Sequence, residues 1–235
     1  MNANGRKTAM ITGASRGLGL ALARALASRN WQLIIDGRDN GTLRIAAAEV
    51  EKNTRVWSIQ GDISDPDHRQ QLAKAAAEAG GLDLIVNNAS FLGPSPQPAL
   101  LAYPLDTLMD VYKINVVAPL GLLQAVQSLF KPGVRLINVT SDAGVEAYEG
   151  WGGYGSSKAA LEHWSAILAE ERPDLKVYWV DPGDMRTQMQ QEAFPGEDIS
   201  DRPLPEESIP GLLALIEGDF PSDRYQARNI PLQVG

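Results

Sequence analysis

A tyrosine and a lysine four residues apart, Tyr154 and Lys158, are the strongest candidates for chemistry in this sequence. Apolar residues after them keep helical spacing, which places the phenol and the amine on one helix face, a turn apart. A phenol with a pKa of about 10 transfers protons poorly near neutrality, but a nearby ammonium group stabilises the phenolate and lowers that pKa. Tyr154 could then act as both acid and base. Ser141, at the end of a predicted strand, could hydrogen-bond a substrate carbonyl, and Asn115 is polar among apolar neighbours.

A glycine-rich segment, Thr12 to Gly19, joins a predicted strand to a predicted helix. Its glycines, Gly13, Gly17 and Gly19, let the backbone turn sharply and approach a pyrophosphate at the helix N-terminus. A tight turn without function is the alternative interpretation. Three residues separate the first two glycines, which is not the usual dinucleotide-binding spacing.

Order and spacing connect these two features. The tetrad Asn115, Ser141, Tyr154 and Lys158, together with the glycine turn, resembles that of the short-chain dehydrogenase/reductase family, whereas a lone tyrosine and lysine would be a common surface pair. The resemblance implies an oxidoreductase that transfers hydride between NAD(P)(H) and a carbonyl or alcohol. It implies that Tyr154 is the general acid and base and that Lys158 lowers the phenol pKa and contacts the nicotinamide ribose. It also implies that Ser141 orients the carbonyl and that Asn115 holds a water linking Lys158 to solvent.

The resemblance continues after the third and fourth predicted strands. Asp62 and Ile63 resemble the family's adenine contact, although a turn or a helix cap accounts for Asp62 nearly as well. Asn87-Asn88-Ala89 resembles the family's Asn-Asn-Ala-Gly motif, with Ser90 in place of the usual glycine. If the backbone there needs a positive φ, Ser90 would be strained.

Pro182-Gly183 and Thr187 resemble the family's turn beside the nicotinamide and its cofactor-binding threonine. The resemblance therefore covers nearly the whole chain. The cofactor-binding residues predicted in this way are Gly13, Ser15, Arg16, Gly17, Leu18, Gly19, Arg38, Asp62, Ile63, Asn88, Ala89, Tyr154, Lys158, Pro182, Gly183 and Thr187.

The end of the second predicted strand bears on which nicotinamide cofactor binds, because that turn faces the adenine ribose. Asp36 could bind a ribose 2′-hydroxyl and repel a 2′-phosphate, which would favour NAD. In the family's register the discriminating acid aligns with Gly37 instead, and Arg38 with Arg16 resembles the NADP-selecting pair. Two guanidinium groups can bind a 2′-phosphate through charge-assisted hydrogen bonds. The alternative interpretation is that both arginines are solvated surface residues, which either one alone would favour. NADP(H) is therefore preferred over NAD(H).

Short β-rich runs alternate with segments of helical period, which predicts one α/β domain, 1–235, with a doubly wound parallel sheet of six to seven strands and helices on both faces. The first helix is predicted from Arg16 to a stop at Asn30, Asp65-Pro66 is a predicted helix start, and Leu105 to Phe130 is a long helix broken near Pro119. The predicted strands are Thr8–Thr12, Trp31–Asp36, Arg55–Gln60, Leu82–Asn87, Val134–Thr140 and Lys176–Asp181.

Two connections, 90–104 and 184–205, are longer than the rest and follow the fourth and sixth strands. Both should lie at the carboxyl edge of the sheet, where open parallel sheets bind ligands, so 184–205 is interpreted as a substrate loop or lid. Phe91, Tyr148, Trp151, Met189 and Phe194 could line a substrate pocket, or could pack the loops on the core.

Composition limits the remaining function classes. With 235 residues and a formal charge of −8, the chain suits small-molecule partners and not a phosphate backbone, so no nucleic acid is expected. The absence of cysteine excludes thiolate catalysis, and His68 and His163 are interpreted as surface residues, so no metal is expected. The polar start, Met1–Lys7, lacks a signal peptide's apolar core, and no run could span a bilayer, which predicts a cytoplasmic protein.

Two other functions share parts of this pattern. A non-catalytic NADP-binding redox sensor would need the glycine turn but no proton donor. An epimerase or dehydratase of the extended branch would use the same tyrosine and lysine, but too few residues follow Pro205 for its additional substrate domain. By resemblance a homodimer or homotetramer built from the long central helices is expected, and the carbonyl or alcohol substrate is left open.

Overall fold

The fold, taken from a computed structural model, is described for residues 5–231, so Met1 to Asn4 of the predicted polar start lie outside the described residues. Seven parallel strands form one sheet in the order β3-β2-β1-β4-β5-β6-β7. The predicted doubly wound α/β fold is confirmed. The strands are β1 Thr8–Ile11, β2 Gln32–Gly37, β3 Val56–Gln60, β4 Leu82–Asn87, β5 Phe130–Val139, β6 Lys176–Asp181 and β7 Asp223–Gln226. The helices are α1 Gly17–Ala27, α2 Asn40–Val50, α3 Pro66–Glu78, α4 Leu105–Tyr112, α5 Ala118–Val126, α6 Gly152–Glu171, α7 Gln188–Ala193 and α8 Ile209–Glu217.

The sheet is buried on both faces because successive strand residues point to opposite sides. Ala9 and Ile11 of β1 belong to a core cluster that includes α1 and α8, while Met10 between them belongs to a second cluster that includes α3 and α5. All six residues of β2 are buried. Continuous apolar runs thus form the centre of the sheet, as the sequence predicts.

Most predicted boundaries lie within a residue of those observed, with β5 as the clear exception. β5 begins at Phe130 and not at Val134, and the long helix ends at Val126. Pro132 and Gly133 suggest a break in a strand, but Phe130 pairs with Leu82 and an irregularity between Leu82 and Leu84 absorbs the shift in register. β7 lacks the apolar pattern of a strand because its four residues are mostly polar.

The predicted break in the long helix is confirmed. A π-helical turn, Lys113–Val117, separates α4 from α5, and Pro119 lies in the first turn of α5. Proline has no N–H, so it cannot donate to the carbonyl of Asn115, four residues earlier. Single π turns of this kind are frequent at functional sites. Asn115, a predicted site residue, is buried in this one.

Candidate active site

The glycine turn between β1 and α1 leaves no room for side chains at two of its glycines. A β carbon on Gly13, whose φ is +65°, would lie 2.9 Å from Cα of Ala89, and one on Gly19 would lie 2.7 Å from Nδ2 of Asn88. Gly17 also has a positive φ, +56°. These three positions require glycine for backbone shape or for close approach. The turn therefore exposes backbone rather than side chains to the cleft beside it.

Asn88 and Ala89 fasten the end of β4 to this turn. The backbone amides of Asn88 and Ala89 each donate to Oγ1 of Thr12 at 3.0 Å. Nδ2 of Asn88 donates to the carbonyls of Thr12 and Gly13 at 2.8 and 3.1 Å. Among residues 5–231 Asn30 is the non-glycine residue with a positive φ, so the possible strain at Ser90 is absent.

The prediction that His68 is a surface residue is wrong. His68 is buried in α3, and its Nε2 lies 2.9 Å from Oδ2 of Asp36. Oδ1 of Asp36 accepts the backbone amide of Gly13 at 2.6 Å. A β carbon on Gly61 would lie 2.1 Å from Nδ1 of His68, so Gly61 makes space for the ring. The polar sequence around His68 concealed this pairing, because its partner is 32 residues away.

Asp36 consequently stabilises the glycine turn through its hydrogen bond with the Gly13 amide. Both carboxylate oxygens of Asp36 have protein partners. The NAD interpretation, in which Asp36 binds a ribose 2′-hydroxyl, therefore has no free carboxylate oxygen at this position. Gly37 follows, and a β carbon there would lie 3.0 Å from Oγ of Ser15. Arg16 and Arg38 are exposed at the rim of the cleft, where Arg16 is hydrogen-bonded to Gln188 of α7.

Asp62 and Ile63 line the same cleft after β3. Oδ1 of Asp62 accepts the amide of Ser64 at 2.8 Å, and the Asp62 carbonyl accepts the amide of Asp65. Burial acts to raise the pKa of Asp62, but the Ser64 hydrogen bonds, Arg38 and Lys113 outweigh it and hold that pKa below its usual value. Asp62 therefore both stabilises the turn after β3 and lines the cleft.

Tyr154 and Lys158 are buried on one face of α6, as their spacing predicts. Nζ of Lys158 lies 5.4 Å from the centroid of the Tyr154 ring and donates to the carbonyl of Val139 at 2.9 Å. Burial raises the pKa of the Tyr154 phenol and lowers the pKa of Lys158 to about 7. The spacing of the two residues predicts the opposite direction for the phenol, a pKa lowered by Lys158. Burial dominates here because it disfavours the charged form of both groups.

Ser141 lies at the end of β5, half-buried beside Tyr154 in the cleft. Its Oγ donates to Oδ1 of the next residue, Asp142, at 2.8 Å, and Tyr148 donates to the other oxygen of that carboxylate. The backbone carbonyl of Ser141 accepts Nη2 of Arg224 at 3.2 Å. A strand that the sequence analysis did not locate thus helps to hold the Ser141 backbone.

Arg224 also binds Glu162: Nε of Arg224 donates to Oε1 of Glu162 at 3.1 Å. The same oxygen accepts a second hydrogen bond, from the Thr140 hydroxyl, at 2.7 Å. Glu162 lies one helical turn after Lys158 and opposes the burial effect by raising the lysine's pKa. Sequence reasoning missed both residues. The position of Glu162 four residues after Lys158 is the signal that could have indicated it.

The side chain of Asn115 contacts two neighbouring segments, the loop after β4 and helix α6. Its Oδ1 accepts the amide of Phe91 at 2.8 Å and the hydroxyl of Ser90 at 3.1 Å. Its Nδ2 donates to the carbonyl of Phe91 at 2.9 Å and to Oγ of Ser157 at 3.0 Å. The Asn115 side chain is thus committed to protein partners, so a water bound by this residue would need its backbone carbonyl.

Pro182, Gly183 and Thr187 border the cleft after β6. Gly183 has a φ of +74°, and its amide donates to Oδ1 of Asp181 at 2.8 Å, which fixes the turn. Thr187 caps α7, because its hydroxyl accepts a hydrogen bond from the backbone amide of Gln190. Its methyl group lies close to the glycine turn: a β carbon placed on Gly17 would be 3.6 Å from it. The 184–205 segment therefore contacts the glycine turn through Thr187 and Gln188, and its role as a substrate loop or lid stays a prediction.

A single cleft of about 970 Å³ joins these parts. Asn115 does not line it but supports its wall. The cleft contains Ser141, Tyr154, Lys158 and every predicted cofactor-binding residue except Gly19, which lies behind it against Asn88.

Aromatic and apolar side chains form one wall of the cleft. The Trp151 ring packs edge-on against the Tyr154 ring, with 5.8 Å between the ring centroids, and its centroid lies 6.0 Å from that of Phe194. Phe91 and Met189 also line the cleft, as predicted, whereas Tyr148 contacts Trp151 from outside it. Of the five residues, Phe91, Trp151 and Met189 border the cleft, whereas Tyr148 and Phe194 pack against Trp151, so a substrate-lining role stays a prediction for the first three.

Within residues 5–231, no cluster of three or more His, Asp or Glu side chains could bind a metal ion, and none of the helices has the length and apolar composition of a membrane span.

Comparison with known proteins assigns the family. The model of the short chain dehydrogenase family matches residues 7–198, so the chain belongs to the short-chain dehydrogenase/reductase family of oxidoreductases. It is 32% identical over 218 residues to the uncharacterized oxidoreductase YciK of Escherichia coli, covering 89% of this chain and 86% of that one. It is also 32% identical over 196 residues to a benzil reductase ((S)-benzoin forming) of Saccharomyces cerevisiae, covering 79% and 74%.

A solved short chain dehydrogenase from Shigella flexneri, complexed with NADP, has the same fold. Its TM-score to this chain is 0.86 at 29% identity, covering 94% of this chain and 97% of that one. The resemblance drawn from the glycine turn and the tetrad is thereby confirmed at the level of family and fold.

Proposed function

We propose that this protein reduces carbonyl compounds with NADPH, or oxidises the corresponding alcohols with NADP⁺, with Tyr154 as general acid and base. The observation that carries the proposal is the burial of Tyr154 and Lys158, a turn apart, in the cleft that the glycine turn also lines. A phenol beside a dinucleotide-binding turn has a use in proton transfer that a surface tyrosine lacks.

The residues of the cleft fit a dinucleotide. The free backbone amides of the first turn of α1, which begins at Gly17, lie where a pyrophosphate is stabilised, and Gly13 allows the sharp turn into the helix while its own amide donates to Asp36. Asp62 and Ile63 would border the adenine, while Pro182-Gly183 and Thr187 would border the nicotinamide half. When bound, the nicotinamide ring supplies the hydride in reduction and accepts it in oxidation.

Tyr154 donates its proton to the substrate oxygen as that oxygen gains negative charge. Burial keeps the phenol protonated near neutral pH, which suits an acid, and charge on Lys158 would stabilise the phenolate left behind. Ser141 orients the carbonyl once its hydroxyl turns from Asp142 towards the substrate, a rotation about one bond.

Asn115 supports proton resupply through its backbone. Its carbonyl lacks the usual α-helical donor because Pro119 has no N–H, so it could hold a water between Lys158 and solvent. The side chain of Asn115 fixes this turn against Phe91 and Ser157. Lys158 would also contact the nicotinamide ribose from the position it holds beneath Val139.

NADP(H) is the favoured cofactor because the rim beside the adenine end is cationic. Arg38 and Arg16 are exposed there, Gly37 presents no carboxylate, and both oxygens of Asp36 are engaged with Gly13 and His68. Paired guanidinium groups bind phosphate in charge-assisted hydrogen bonds. The NADP complex of the Shigella flexneri relative supports the same choice.

The substrate we propose is an uncharged carbonyl compound with an apolar or aromatic group. Trp151 and Met189 line the cleft near Tyr154, with Phe194 packed against Trp151, and Asp142 would oppose an anionic substrate at that end. The benzil reductase relative acts on a ketone of this kind, which its name states. We also propose a cytoplasmic protein. A homodimer or homotetramer is supported by exposed apolar residues, Leu105 and Met109 of α4 and Leu101 before it.

The test is NADPH oxidation against a panel of carbonyls, with binding calorimetry for NADPH and NADH. We expect tight NADPH binding and turnover of an aromatic ketone or diketone. Tight binding without turnover of any carbonyl would instead indicate a redox sensor. Equal turnover with NADH and NADPH would contradict the assignment of Arg38 and Arg16.

A further inference from the structure

Ser141 lies at the point where the chain leaves the sheet. The amide of Thr140, the first residue after β5, donates to the carbonyl of Val180 in β6 at 2.9 Å. The Ser141 carbonyl accepts two hydrogen bonds, from the Gly144 amide at 3.1 Å and from Nη2 of Arg224 at 3.2 Å. The Gly144 bond lies within the turn that follows β5, whereas Arg224 connects Ser141 to strand β7.

Arg224 is itself held between two carboxylates. Its Nε donates to both oxygens of Glu162, at 3.1 and 3.2 Å, and its Nη2 lies 3.8 Å from Oδ2 of Asp181. The side chains of Glu162 and Asp181 are only 12% and 6% exposed, so water and salt screen these contacts weakly. A guanidinium group suits this position because its planar fork can bind a carboxylate and a carbonyl at the same time.

Glu162 connects this ion pair to helix α6 and to the end of β5. Its Oε1 also accepts the Thr140 hydroxyl at 2.7 Å. One helical turn before Glu162, Lys158 donates through Nζ to the Val139 carbonyl at 2.9 Å. Charged side chains of α6 and β7 therefore bind three consecutive residues, 139–141.

The position of a serine hydroxyl is set by its backbone and by one side-chain torsion. A shift of the Ser141 backbone would therefore move its Oγ within the cleft that Tyr154 also lines. Displacements of about 1 Å near a reacting centre can lower rates by about 10²-fold. We propose that Arg224, held by Glu162, is a positioning residue that keeps the Ser141 hydroxyl within hydrogen-bonding reach of the substrate carbonyl. The inference rests on the function proposed for Ser141 and Tyr154.

A double-mutant cycle between Arg224→Gln and Ser141→Ala tests this role, measured as kcat/KM for the reduction of benzil, an aromatic diketone, by NADPH. We expect Arg224→Gln to lower kcat/KM about tenfold and Ser141→Ala to lower it about 10²-fold. The double variant should be no slower than Ser141→Ala alone, because Arg224 then has no hydroxyl to position. The calorimetric Kd for NADPH should equal that of wild type in Arg224→Gln.

Arg135 of β5 supplies the matched control. Its Nη2 donates to the backbone carbonyl of Gly218 at 2.8 Å, so Arg135→Gln also removes a hydrogen bond from a half-buried arginine to the backbone. Arg135 does not line the cleft. We expect kcat/KM of this variant to match wild type.

Losses that multiply in the double variant, to about 10³-fold, would overturn the proposal, because independent effects add in free energy. An effect that Arg224 exerts through Glu162 on Lys158 would also persist without the Ser141 hydroxyl and would give that multiplied loss. A wild-type kcat/KM in Arg224→Gln would overturn the proposal as well.

If Arg224→Gln does not fold by circular dichroism, Arg224→Lys replaces it, because an ammonium group can pair with Glu162 but has no second nitrogen for the Ser141 carbonyl. If Ser141→Ala has no measurable rate, the cycle is measured on the Kd of benzil for the complex with NADP⁺, which cannot reduce it. Tyr154→Phe separates the two levels. Turnover by Tyr154→Phe would refute the function proposed for Tyr154, whereas multiplied losses beside an inactive Tyr154→Phe remove only the role of Arg224.

Discussion

Nζ of Lys158 lies 5.4 Å from the centre of the Tyr154 ring but donates its hydrogen bond to the carbonyl of Val139. Both side chains are almost entirely buried. Each is therefore biased towards its neutral form, and Lys158 has a pKa of about 7. A lysine with this pKa changes its charge within the range where a reductase works, so the stability and the chemistry of the protein both depend on one ammonium group.

Lys158→Met should stabilise the fold while it lowers turnover. Between pH 7 and about 10.5 the unfolded chain binds a proton at this lysine that the folded chain does not, so wild-type stability rises with pH in that window. Below pH 7 both states are protonated and the full cost of burying the charge remains. We expect the Tm of the variant to exceed that of wild type at pH 6, by a margin that shrinks towards pH 9.

The exposed Lys74 of α3 supplies the control for that measurement. Lys74→Met should give a Tm difference that does not vary over the same pH range. A Lys158→Met difference that is flat or that grows with pH would show that the buried ammonium is not the cause.

Asp36→Ala should destabilise the protein more than removal of an exposed aspartate from the same turn. The change leaves the Gly13 amide and His68 without their buried partner, and breaking such a pair costs about 3 kcal/mol of unfolding free energy. Asp39→Ala removes only the cap of α2, worth about 1 kcal/mol. Urea unfolding of both variants makes the comparison, and equal losses would contradict the support role of Asp36.

Arg38→Ala should raise the KM for NADPH about tenfold and leave the KM for NADH nearly unchanged, because only NADPH carries the 2′-phosphate. Arg44→Ala, an exposed arginine of α2 outside the cleft, should change neither constant. Parallel rises in both KM values would mean that Arg38 positions the loop rather than reads the phosphate.

The sequence predicted the parts of this protein that are encoded locally. The glycine turn, the helical pairing of Tyr154 with Lys158 and the cap at Asp65 each depend on residues within a few positions of one another. Continuous apolar runs likewise predicted β4 and β6 to the residue. Local chemistry was sufficient in each case.

The missed features depend on contacts between distant segments. His68 lies in a polar stretch that is typical of an exposed helix, but α3 packs that stretch against Asp36 of β2. Arg224 reaches Ser141 from 83 residues away, on a short polar strand with no β signature. The pKa of Tyr154 was also expected to fall, because spacing indicates a nearby lysine but not how deeply the two groups are buried.

Turnover and NADPH binding by Tyr154→Phe, measured on one preparation, test the central claim most directly. The substitution removes the phenolic oxygen and keeps the ring that packs against Trp151. Loss of a general acid lowers rates by about 10² to 10⁴. We predict a fall in kcat of at least that size, with calorimetric affinity for NADPH equal to wild type. A variant that retains kcat within about threefold of wild type, far short of that range, would contradict the account.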